Sequence, residues 1–86
     1  LSRRLDKMKK VKDGIWKDYM GNNHILEDEI WDNMKYIDSF VSYDCGSISG
    51  IFHGLFYDDE DVYYKIERID GKIEYCSCVG GLEVMR

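Results

Sequence analysis

The chain has 86 residues, 44% of them hydrophobic and 34% charged, with no proline. That supports one compact domain, leaves no length for a second core, and excludes a generally disordered chain. Its net charge of −5 argues against nucleic-acid binding by the domain as a whole, since phosphate contact is driven by Lys and Arg.

The first apolar stripe is Leu1, Leu5, Met8, Val11, Ile15, Trp16 and Tyr19, at three- and four-residue spacing. It predicts an amphipathic helix over 1–20, interrupted at Gly14 and stopped at Gly21-Asn22-Asn23. Leu26, Ile30, Trp31, Met34, Ile37 and Val41 form a second stripe and predict a helix over 25–40. Its first turn holds Glu27, Asp28 and Glu29, where the helix dipole favours acid. The short link between the two predicts an antiparallel helical hairpin.

After Phe40 the period changes to alternation. Val41–Cys45 reads as a short strand or extended lead-in. Ser47–Tyr57 reads as a strand curved or bulged at Gly50 and Gly54. An acidic loop, Asp58-Asp59-Glu60-Asp61, leads into a hairpin over Val62–Val79 turned by Asp70-Gly71. A two-residue turn there sets Ile66 opposite Tyr75, Tyr64 opposite Ser77 and Val62 opposite Val79. One face then carries Val62, Tyr64, Ile66, Ile73, Tyr75 and Val79 as core. The other carries Lys65, Glu67, Lys72 and Glu74, with Tyr63, Cys76 and Cys78 towards its far end. A last short strand follows Gly80-Gly81.

The expected fold is a single α+β domain over 1–86, with the helical hairpin (1–20 and 25–40) packed on an antiparallel meander of three to five strands over 47–86. The alternative is a small SH3-like barrel with the helices appended, a likeness of architecture confined to the C-terminal half.

Four groups of residues are candidates for function. Phe52 and Phe56 join Tyr63 on the second sheet face if the acidic loop has four residues, making an aromatic patch that needs a cover. Asp58, Asp59, Glu60 and Asp61 lack the ligand spacing of a calcium loop and read as a solvated tip able to steer a basic partner. Residues 1–18 hold seven Lys or Arg against three Asp, while 19–86 hold five against fourteen Asp or Glu. Arg3, Arg4, Lys7, Lys9, Lys10 and Lys12 are therefore the candidate phosphate contacts. Cys45, His53, Cys76 and Cys78 make a nominal Cys3His zinc set, but Cys76 and Cys78 are too close together and share the sheet face opposite His53.

No catalytic signature stands out, and neither metal nor cofactor is expected. The function expected is a non-enzymatic, acidic protein-binding module of the inhibitor, immunity or regulatory kind known from bacteria and phages, occluding the surface of another protein or of a second copy. A nucleic-acid-associated domain using the basic first segment is the alternative, and a small-ligand or metal protein using Cys76, Cys78 and His53 is the third. Three cysteines without a secretory signal point to a reducing cytoplasm. No apolar run reaches the length of a membrane span, so no membrane partner is expected.

Overall fold

A computed structural model of the chain describes residues 3–5, 8–58 and 61–85. Among these residues the protein is mainly β, 52% strand and 15% helical, built from two antiparallel sheets and one short α-helix. The expected helical hairpin is absent from them, and with it the helices that the barrel alternative would have appended.

Strand formation starts at Arg3–Arg4 (β1). Lys9–Lys12 (β2), Ile15–Lys17 (β3) and Asn23–Ile25 (β4) then form a small sheet in the order β2-β3-β4. Gly14, inside the expected helix, breaks it: its φ of 81° is a left-handed value that a right-handed helix interior does not hold, while Gly21 at φ 86° closes the next turn. Asp13-Gly14 turns β2 into β3, and Tyr19-Met20-Gly21 turns β3 into β4. Register sets Lys10, Trp16 and His24 side by side on one face, and Lys9, Lys17 and Asn23 on the other together with Lys12, Ile15 and Ile25. The first face is the inner one: Trp16 packs on the core and stacks on Trp31 with ring centroids 5.4 Å apart.

The second predicted helix shrinks to Asp28–Asp32 (α1) and a 3-10 turn at Asn33–Tyr36. Its stripe still faces the core, since Leu26 is buried and Ile30, Trp31 and Met34 pack against the same cluster. Asn33 Nδ2 donates to the Tyr64 hydroxyl (3.1 Å), and the Leu55 N–H donates to Met34 Sδ (3.2 Å). These bonds tie the helical segment to the inner face of the main sheet.

That sheet contains Phe40–Tyr43 (β5), Ile48–Tyr57 (β6), Val62–Arg68 (β7), Ile73–Ser77 (β8) and Leu82–Val84 (β9), in the order β8-β7-β6-β5-β9, with β1 also paired to β6. Tyr57 pairs with Val62 and Leu55 with Tyr64, but the register shifts between Phe52 and Gly54. This bulge places Phe52, Leu55 and Tyr57 on the same inner face, where all three are buried with Val41, Val62, Tyr64 and Ile66. The sheet also bends towards closure. The Tyr43 hydroxyl on β5 donates to the Ser77 carbonyl on β8 (2.7 Å), reaching across the inside of the curve.

The β7–β8 hairpin turns where Asp70-Gly71 predicts, but with three loop residues instead of two. Gly71 N–H donates to the Arg68 carbonyl and Arg68 N–H to that of Lys72, with Gly71 at φ 87° and Asp70 outside the left-handed region. This is a type I turn closed by a glycine bulge. Tyr64 therefore faces Cys76 and Lys65 faces Tyr75, one residue away from the expected register. A one-residue slip flips every side chain of the second arm. Cys76 is buried, whereas Ile73, Tyr75 and Val79 are exposed.

Gly50 crosses β7 so closely that a Cβ there would run into the Glu67 backbone carbonyl, whereas a Cβ at Gly81 meets nothing. Urea unfolding is expected to show Gly50→Ala losing about 3 kcal/mol, the upper end of overpacking costs, and Gly81→Ala changing by less than about 0.5 kcal/mol.

Candidate functional site

The face of the main sheet turned away from the core carries the most unusual surface. Cross-strand neighbours share a face, so the β1–β6–β7–β8 pairings set Arg4, Phe56, Tyr63 and Ser77 in one row. Lys65 and Tyr75 stand in the next row, and Ile51, Glu67 and Ile73 in the third. Phe56 and Tyr75 meet edge to face with centroids 6.2 Å apart. Lys65 Nζ lies 4.5 Å from the Phe56 centroid and 6.0 Å from that of Tyr75, a cation held over two rings. His53, inside the bulge, puts Nε2 3.0 Å from Glu67 Oε1. Tyr75 and Ile73 remain 47% and 42% exposed.

Phe56 and Tyr63 thus come together as the sequence suggests, and Tyr75 joins them. Phe52 does not. It is fully buried on the inner face, its ring edge-on to Tyr64 at 5.8 Å, because the bulge at His53 shifts the alternation between Leu55 and Phe52. Cys76 and Cys78 also leave the patch. Burial raises the Cys76 thiol and pushes Cys78 up to about 12.

Of the acidic loop, Asp58 and Asp61 shape the β6–β7 turn: Asp58 Oδ1 accepts from the Asp61 N–H (3.0 Å), and Asp61 Oδ1 from the Val62 N–H (2.8 Å). Asp59 and Glu60 lie outside the described residues, as does Lys7. The basic set divides. Arg4 lies on the main sheet's outer face, Arg3 reaches the Tyr19 hydroxyl (3.4 Å), and Lys9 and Lys12 face outward from the small sheet. Lys10 turns inward to ion pairs with Asp28 (2.7 Å) and Asp13 (3.1 Å).

The nominal zinc set is likewise dispersed, with Cys45 in the exposed turn Asp44–Gly46, His53 on the outer face and Cys76 in the core. Among the described residues no three His, Cys, Asp or Glu side chains are grouped to hold a metal ion.

One cluster lies outside the apolar stripes of the sequence. Asp18 is the one buried charged residue among those described. Its Oδ1 accepts from the Met20 and Asn22 N–H groups (both 2.9 Å), and its Oδ2 lies 2.8 Å from His24 Nε2. The His24 ring meets Tyr57 edge to face at 4.6 Å, joining the small sheet to the main one. Beside this contact opens a cleft of about 680 Å³ lined by Asn22, Asn23, His24, Ile25, Tyr57, Asp58, Asp61 and Val62. The lining holds a histidine committed to a carboxylate and no serine, threonine or cysteine. The sequence signal was available: Asp at the first and Gly at the fourth position, Asp18-Tyr19-Met20-Gly21, marks a type I turn.

No protein-family model, curated protein or solved structure matches the chain. No helix among the described residues is long and apolar enough to cross a membrane.

Burial works to raise the Asp18 carboxyl, but the His24 contact and the two backbone donors outweigh it and hold it below the ordinary carboxylate value. A depressed folded-state value stabilises above the unfolded value and is lost as pH falls through the folded one. Asp18→Asn is expected to lose about 2 kcal/mol at neutral pH, as for hydrogen bonds to a charged group. It should also flatten the loss of stability in acid, read by urea melts at neutral and acidic pH. Thiol titration at neutral pH should label Cys45 promptly in the folded protein, and Cys76 and Cys78 only after unfolding.

Proposed function

We propose that the protein is a non-enzymatic protein-binding module of the inhibitory or regulatory kind, which occludes a partner with the outer face of its main sheet. The observation that carries this reading is the cluster of Phe56, Tyr63 and Tyr75 with Lys65 held over two of the rings. Rigid aromatic side chains on a sheet face give large contact area at small entropic cost, the chemistry of interface anchors. The core side chains on the inner face have α1 and the small sheet against them, whereas Ile73 and Tyr75 on the outer face stay open to solvent. The turn bearing Asp58 and Asp61 lies one residue pair beyond Phe56–Tyr63, after Tyr57–Val62, so its charge acts near the edge of the anchors, where it governs approach more than affinity.

Affinity capture followed by titration of the retained protein tests the reading. Tyr75→Ala should weaken binding by about thirtyfold, the scale of an interface hot spot. Ile69→Ala, 87% exposed in the β7–β8 turn, should leave it unchanged. Failure to retain any stoichiometric partner, or a partner indifferent to Tyr75→Ala, would overturn the proposal.

A further inference from the structure

The small sheet has its own outward face, separate from the aromatic patch. Lys9, Lys17 and Asn23 form one row across it, and Lys12, Ile15 and Ile25 the next. All three lysines are exposed, and no acidic side chain shares these rows. Asp13, in the turn at the end of the face, is paired with Lys10. The aliphatic groups are open too: Ile25 is 87% exposed and Val11, in the β2 bulge, 55%. At the opposite end the β3–β4 turn presents Tyr19 and Met20, 66% and 60% exposed, with the Arg3 guanidinium against both. Lysine ammonium groups on flexible stems around protruding aliphatic and tyrosyl side chains suit a surface that is anionic outside and apolar just beneath.

We infer that this face docks on an anionic lipid bilayer, with Lys9, Lys12 and Lys17 against the headgroups and Ile25 and Val11 entering the interfacial layer. The contact lies on the membrane and does not span it. Charge complementarity selects the partner's sign, since this face is cationic on a chain whose net charge is −5. The aliphatic groups select lipid over nucleic acid. A phosphodiester backbone offers nothing to Ile25 and Val11, which an interfacial lipid layer accepts.

Co-sedimentation with vesicles of phosphatidylcholine alone, and of phosphatidylcholine mixed with phosphatidylglycerol, tests this inference. Binding is expected to the mixed vesicles only, and to weaken as salt rises. Replacing Lys9, Lys12 and Lys17 together by Gln should lower partitioning by about a hundredfold. Ile25→Ser, at a site too exposed to affect folding, should lower it by about fivefold. Circular dichroism checks that each variant keeps its strands. A labelled single-stranded oligonucleotide titrated in parallel separates the polyanions. Absence of binding to the mixed vesicles, binding that both sets of substitutions leave unchanged, or oligonucleotide binding in place of vesicle binding would each overturn it. None of these readouts depends on the aromatic patch of the main sheet.

Discussion

The bulge in β6 is the constraint from which the arrangement of both surfaces follows. Strict alternation along Phe52 to Tyr57 would put Phe52 and Leu55 on opposite faces. The register shift between Phe52 and Gly54 brings both into the core and leaves Phe56 outside. It also divides the far edge of β6, so that β5 pairs with one end and β1 with the other. Gly54 is suited to the position. Its φ of 106° lies where other residues are strained, and a Cβ there would press on Ile37 at 3.2 Å. The same irregularity thus fills the core, admits the Arg4 strand and isolates Phe56 beside Tyr63.

A second organising contact works by charge. Asp18 is deeply buried, which is costly for a carboxylate unless it is well hydrogen-bonded. Two backbone donors and His24 supply those bonds. The turn they fix sets β3 against β4, and the ring contact of His24 with Tyr57 locks that pair to the main sheet. A small sheet with so little apolar material of its own depends on such a link. Trp16 and Leu26 do the rest by packing against the shared core.

Much of the C-terminal half was legible, because alternation and turn chemistry agree there. The limits are instructive. Asp70-Gly71 located the turn but fits both a two-residue and a three-residue loop, and that single residue exchanged Tyr75 for Cys76 in the core. In the patch, Phe56 and Tyr63 were readable from the loop length, whereas Phe52 was misplaced: Gly54 signalled a bulge or curvature but not that it would shift the alternation between Phe52 and Leu55. At the N-terminus the apolar residues fall at helical spacing by coincidence. Asp13-Gly14 carries the same hairpin signal as Asp70-Gly71, and the helical stripe obscured it. The Asp18–His24 contact shows no periodicity, since it arises from a turn.

The tie between Tyr43 and Ser77 has a kinetic consequence. The β6–β7 and β7–β8 pairings join neighbours in sequence, so they close short loops and form cheaply. By contrast, β9 pairs with β5 through Val41 and Val84, about forty positions apart. That seam acquires meaning only once the sheet has curved enough for Tyr43 to reach β8. Pairings this distant in sequence, β9 with β5 and β1 with β6 alike, raise the contact order of the fold and slow its formation relative to the central hairpins.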